Sequence, residues 1–407
     1  MKKLLSILLA VSLLGGVLTG CGSKQTETPV TEDGQTQTET VDLTTITDLY
    51  EYTAGIPADT VVAKIGEYDI TAESLLYWLN YNIEYIAQSA GLTEIPWDTP
   101  AGEGSTLADE AKQSALEMAA WYRLVPELAK ELNMSVEESI TVELNEYMEQ
   151  LRETMGSEEL TKYYLWMSLL TEESFYQTYE VGNLQIQMQE HYYGENSSDY
   201  PTDAEVLAFA EETLGGYRAK HILLLTKDME ADIVQNEDGT YGYPSLDEAT
   251  VAEQKALADE IKAKLDAAAD PVALFDELMH EYSEDNGLAA NPDGYTTQKG
   301  QMVQSFEQTA LSLKDGEISD VVESEYGYHI ILRLPLDPAN YRDDLIAQRM
   351  GEKSQEWLEE YGMTTNENYD AIDVAAFHAN VVKVQDALWV QLQPVLEPEA
   401  AASEEEN

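Results

Sequence analysis

Two histidines occupy matching places in this chain. His221 sits among leucines in the run AKHILLL, and His329 lies in EYGYHIILRL. Both runs are β-rich, and alternation along the second puts Ile331 and the ring of His329 on one face, with Ile330 and Leu332 on the other. An imidazole in such a place either is a core group hydrogen-bonded to backbone or belongs to a site. Terminal strands of a small sheet often pair. If these two do, the rings meet on one face and hydrogen-bond each other, which accounts for a matched pair better than two independent core residues.

Other chemistries find little support. Cys21 is the only cysteine, so no intramolecular disulfide forms, and G-x-S-x-G does not occur, which argues against serine or cysteine catalysis. No His-x-x-x-His pair, cysteine cluster or calcium-loop pattern appears, so no metal and no cofactor is assigned. The balance of 78 acidic against 22 basic residues, a net charge of −56, disfavours nucleic acid and anionic lipid headgroups as partners.

The elements that must position the histidines follow from the pattern along the chain. Met1-Lys2-Lys3, the apolar stretch Leu4 to Val17 and Leu18-Thr19-Gly20-Cys21 read as a signal peptide over 1–20. The tetrapeptide LTGC resembles a bacterial lipobox, which implies lipidation of Cys21 and an extracytoplasmic protein anchored to the bacterial cell membrane. Residues 21–59, rich in Thr, Glu, Gln and Asp, read as a disordered tether. From 60 to 214 a mainly helical domain follows, opened by two short β runs around Gly66-Glu67 and by Thr71 as an N-cap. Ser135 with Glu138, and Thr202 with Glu205, fit capping boxes. A stripe of Tyr77, Trp78, Tyr81 and Tyr85 at helical spacing fits core packing better than a client-binding surface.

Residues 215–336 change style. A strand containing His221 is followed by a hairpin turning at Asp238-Gly239, two amphipathic helices, a short helix with Phe306 and Ala310, and a strand containing His329. This β-α-α-α-β order predicts a compact α+β domain with helices packed on a small, antiparallel-rich sheet. Residues 337–396 read as a C-terminal helical segment packing back on the N-terminal domain, so that the α+β unit is an insertion, and 397–407 as a disordered acidic tail.

AKHILLL, the segment PDGYTTQKGQMVQSFEQTALSLKDGEISDVVESEYGYHII and the helices between them resemble the parvulin-type peptidyl-prolyl cis/trans isomerase domain. With the lipobox and the helical flanks, the whole chain resembles PrsA-like foldase lipoproteins. The domain resemblance covers roughly Gly216 to Leu336 and is specific in its last forty residues, whereas that of the flanks rests on layout.

The resemblance implies that His221 and His329 are the paired histidines of the site. It places the proline-pocket residues at Met302 and Phe306, which at i and i+4 share one face of a helical turn, and the acidic site residue at Asp293. Asp293 either orients a histidine or polarises the peptide, or it is an Asp-Gly turn residue. Tyr295 is the one ring in a stretch where the family has bulky residues, since Gly294, Thr296 and Thr297 surround it. A further departure is the stretch Asp228 to Pro244, which carries five acids and no arginine and does not suit a phosphate-reading loop.

The function implied is a membrane-anchored foldase that isomerises X-Pro bonds in exported proteins. Its partners are unfolded or partly folded exported polypeptides and the membrane, and a homodimer is compatible with the pattern. The alternative is a non-catalytic chaperone with a degenerate parvulin domain. A solute-binding lipoprotein would need two α/β lobes, which the long helical run before Leu214 does not supply.

Overall fold

The computed structural model describes residues 41–398 except 93, 103, 236–238 and 240. The expected signal peptide, the expected lipidation residue Cys21, the expected tether as far as residue 40, the expected hairpin turn residue Asp238 and the expected acidic tail from 399 lie outside the described residues. The chain divides into two compact units, one of residues up to Ser198 together with those from Met350, and one of Asp199–Arg349.

The first unit begins earlier than composition suggests, which corrects the expected tether of 21–59. Asp42 caps a 3₁₀ turn at Leu43–Thr45, and Asp48 caps a helix at Leu49–Ala54 by accepting from the N–H groups of Tyr50 and Glu51. Leu43, Ile46, Leu49 and Tyr50 are buried, and the Tyr50 hydroxyl donates to the carbonyl of Leu169 at 2.6 Å. The polar average over 22–59 conceals these two caps and the apolar residues they precede.

Strand β1 (Val61–Ile65) pairs antiparallel with β2 (Tyr68–Thr71), and Thr71 then caps the helix Ala72–Ala90. The long helices Leu107–Glu131 and Glu172–Tyr193 start with capping boxes at Thr106/Asp109 and Thr171/Ser174. The helix at Glu138–Met155 departs from expectation, because Glu137 and not Ser135 is its N-cap and no side chain caps it. Of the aromatic stripe, Trp78 is core, Tyr77 and Tyr81 are half-buried, and Tyr85 is exposed. The C-terminal residues complete this unit. The helix Val374–Leu396 packs on Leu49–Ala54 and on the helix Glu158–Trp166, where Gln385 donates to the Met167 carbonyl at 2.8 Å.

The second unit is wider at both ends than 215–336. Val206, Phe209 and Ala210, from the helix Asp203–Ala208 and its π-helical continuation, pack with Leu336, Tyr341 and Leu345. Arg349 pairs with Glu205 at 2.7 Å across the same junction. Apolar residues just beyond the terminal strands thus hold the flanking turns to the unit.

The second unit is built on strand β3 (Gly216–Leu225). A two-stranded hairpin, β4 (Val234–Gln235) with β5 (Tyr241–Gly242), precedes the helices Glu248–Ala267 and Pro271–Tyr282. Then come β6 (Tyr295–Gln298), the helix Gln304–Ser312, β7 (Val322–Glu323) and β8 (Gly327–Leu334). The sheet order is β6-β3-β8-β7, antiparallel throughout, with β3 and β8 at the centre. Short edge strands β6 and β7 were not expected; four and two residues of mixed polarity carry too little alternation to read.

Ile222, Leu224, Ile330 and Leu332 face the helices 248–267 and 271–282, while Tyr217, Ala219 and Ile331 face Phe306 and Ala310 of the helix 304–312. The fold is α+β, small antiparallel sheets with packed helices. Glycine is required at 327, where a Cβ would fall 2.1 Å from the carbonyl oxygen of Leu224 on the neighbouring strand.

Candidate active site

The β3–β8 register sets the site. Leu223 lies opposite His329 and His221 opposite Ile331, so the two histidines are diagonal neighbours on the face turned to the helix 304–312. Their Nδ1 atoms are 3.1 Å apart and their rings are nearly parallel, with centroids at 5.3 Å. His329 is 2% exposed. The Phe306 ring stands edge-on to both, 5.2 Å from His221 and 5.6 Å from His329.

Each remaining ring nitrogen has a partner. His221 Nε2 lies 3.0 Å from Asp285 Oδ2, and His329 Nε2 lies 2.6 Å from Ser324 Oγ, which itself accepts from the N–H of Tyr326. Asp285 also accepts from the Tyr295 hydroxyl at 2.6 Å and from the Gly287 N–H at 3.0 Å. Gly287 permits this approach, since a Cβ there would sit 2.1 Å from the Tyr295 oxygen.

The protonation states follow from these contacts. Burial raises the Asp285 carboxyl, but the hydrogen bonds from His221, Tyr295 and the Gly287 N–H outweigh it and hold the group at about 2. Burial, reinforced by the neighbouring His221, pushes His329 down to about 3. An ionised Asp285 only accepts, so His221 Nε2 carries a proton. The two Nδ1 atoms share one hydrogen bond, and Ser324 Oγ shares another with His329 Nε2. The hydrogen bonds thus form one chain, from Ser324 through both imidazoles to Asp285. Burial, together with the same carboxylate, pushes the Tyr295 hydroxyl well above its ordinary range.

The histidines floor a cavity of about 330 Å³, within the ~300–1,000 Å³ common for ligand pockets. Its apolar lining includes Leu223, Met302, Val303 and Phe306, and its polar lining includes Asp285, Tyr295 and Gln301. Among the described residues no group of three His, Cys, Asp or Glu side chains is placed to hold a metal ion.

His221, His329, Met302, Phe306 and Tyr295 therefore share one cavity, with two corrections. Asp293 is exposed and does not line it; Gly294 N–H closes a turn on the Asn291 carbonyl, and the carbonyl of Asp293 accepts from Arg218 at 2.8 Å. The site carboxylate is Asp285, in the loop after the helix 271–282. That loop is tied to β3 where Ser283 Oγ accepts from the Leu223 N–H and Glu284 N–H donates to the Leu223 carbonyl. Met302 is not on the helix with Phe306, because Val303 is the N-cap of 304–312. Asp285 and Ser324 were missed. The available signal for Asp285 was a carboxylate in the polar run SEDN directly after an amphipathic helix.

Residues 221–334 match the rotamase family, the PPIC-type PPIase domain. The chain carries a parvulin-type peptidyl-prolyl isomerase domain. Foldase protein PrsA of Geobacillus kaustophilus (strain HTA426) is 45% identical over 82 residues, 20% of this chain and 28% of that protein. Foldase protein PrsA of Bacillus subtilis (strain 168) is 37% identical over 106 residues, 26% of this chain and 35% of that protein. The aligned stretches thus span about a third or less of these relatives. A crystal structure of PrsA from Bacillus subtilis aligns at 20% identity over 72% of this chain and 92% of that one, with a TM-score of 0.22. The parvulin domain begins, in this match, on His221 itself and ends on the last residue of β8.

Proposed function

We propose that this protein is a foldase that isomerises X-Pro bonds in exported polypeptides, held at the extracytoplasmic face of a bacterial membrane by lipid on Cys21. The observation that carries the catalytic part is the pair of hydrogen-bonded imidazoles flooring an apolar cavity under Phe306 and Met302. The family match of residues 221–334 and the similarity to PrsA foldases support it. Anchorage and exported clients rest on the sequence of residues 1–21 and on that similarity.

Rotation about an X-Pro bond breaks no covalent bond. It loses amide resonance over a barrier of about 18–20 kcal/mol, so a site accelerates it by favouring the twisted amide over the planar one. In this reading Met302, Phe306 and Leu223 hold the proline ring. The Asp285 carboxylate, kept ionised by its three donors, disfavours the resonance form that places negative charge on the carbonyl oxygen. His221 and His329 hold Asp285 and the cavity floor in place. Neither imidazole transfers a proton.

The test is exchange-rate measurement on a proline tetrapeptide with the full chain. Acceleration by the natural protein, and a loss of at least about tenfold in kcat/KM for Phe306→Ala, are expected. No acceleration leaves the non-catalytic chaperone reading.

A further inference from the structure

One wall of the cavity belongs to a segment that the histidine network does not require. After β3 the chain leaves the sheet at Thr226 and returns at Leu246, whose N–H donates to the Thr226 carbonyl at 2.9 Å. The Asp228 N–H binds the Pro244 carbonyl at 2.9 Å, and Lys227 Nζ donates to Ser245 Oγ at 2.9 Å. The excursion is therefore a loop pinned at its neck. Just past that neck, Met229 lines the cavity together with Leu223 and Leu225.

These residues extend the cavity in one direction. His221, Leu223 and Leu225 alternate along one strand face, so the lining runs about 13 Å along β3, from the imidazole floor to the excursion. Its apolar character ends at a charged rim. Met229 is flanked in sequence by the exposed acids Asp228 and Glu230, and Glu284, also exposed, lines the cavity. The donors to Glu284 are uncharged, the Leu225 N–H at 2.7 Å and the Gln254 amide at 2.9 Å. The one basic residue of the neck, Lys227, is turned to Ser245.

We infer that this end of the cavity binds the residue adjacent to the proline and selects a lysine or arginine there. Met229 and Leu225 take the aliphatic stem, and Glu230 and Glu284 attract the charged head. A long basic side chain is apolar along its stem and charged at its tip, which is the order of surfaces the trough presents. A carboxylate or phosphate at that position meets like charge and is rejected. The excursion is thus a specificity-determining wall, and the inference rests on the isomerase reading of the site.

The experiment compares proline tetrapeptides that differ only at the residue before proline: lysine, norleucine, alanine and glutamate. With the full chain, exchange rates and, separately, Kd by titration are measured. Lysine is expected to bind at least about fivefold tighter than glutamate at low salt, with norleucine between them, and the gap should narrow as ionic strength shortens the screening length. Met229→Ala should weaken lysine and norleucine together. The Glu230→Gln, Glu284→Gln double variant should weaken lysine alone, the glutamine oxygen at 284 still accepting from Leu225. Equal affinities for lysine and glutamate, or a lysine preference untouched by salt and by both variants, overturn the inference. If no peptide is accelerated, the isomerase reading fails, while the order of affinities still decides the role of the wall.

Discussion

Tyr295 donates its hydroxyl to Asp285 at 2.6 Å, and it can do so only because residue 287 has no side chain. The contact joins edge strand β6 to the loop whose Asp285 binds His221, so one hydrogen bond fixes a cavity wall and helps to keep the site carboxylate ionised. Gly287→Ala is expected to displace the Tyr295 ring and lower kcat/KM by about tenfold. Tyr295→Phe should raise the Asp285 pKa, because a donor to the ionised form is lost. Exchange rates on a proline tetrapeptide check the first variant, and carboxyl NMR titration checks the second.

Asp285 and Asp293 make a discriminating pair. Asp285→Asn removes the charge that orients His221 Nε2–H and should cost at least about tenfold in kcat/KM. Asp293→Asn alters an exposed turn and should leave the rate within about twofold. Equal effects of the two substitutions would sink the assignment of Asp285.

Acid should destabilise the second unit in two overlapping steps. His329 is held near 3 when folded against an ordinary 6.5, so the unfolded chain binds its proton first. Stability from this group is complete above about 6.5 and declines as pH falls toward 3. Asp285 is depressed from 3.8 to about 2, and its share is present above 3.8 and lost as pH falls through 2. In a series of thermal melts from pH 7 to 3, His329→Gln, which carries no ionisable ring, should flatten the upper part of the decline. An unchanged pH profile would contradict the neutral, buried state of His329.

The early segment of the first unit is expected to contribute to stability. Tyr50→Phe leaves the Leu169 carbonyl without its buried donor and should cost about 1–3 kcal/mol. Denaturant melts of the full chain, followed by fluorescence of the tryptophans in the first unit, measure it. No change would mean that this end of the chain is not docked in solution.

Much of the arrangement is readable along the chain. His221 and His329 sit in β-rich runs, and the strand period of two places His329 with Ile331 on one face; that the two imidazoles share it follows once the strands pair. The helices 248–267 and 271–282 show themselves through 3.6-residue periodicity, and Thr202/Glu205 and Thr71 through their caps. Local signals of this kind act within a few residues and survive in any single sequence.

What local pattern does not carry is distance between parts remote in the chain. Asp293 precedes the pocket helix in sequence, yet Asp285 reaches the imidazole, because the end of the helix 271–282 is tied to the Leu223 backbone and the loop before β6 turns outward at Gly294. Ser324 meets His329 only through the β7–β8 pairing. The fold of residues 42–54 likewise depends on partners such as Leu169. The sequence by itself determined the two imidazoles, the apolar residues beside them and the order of elements, since each is written in neighbouring residues. Tertiary structure decided which carboxylate charges the site and what walls enclose it, since those depend on where loops land once helices and strands have packed.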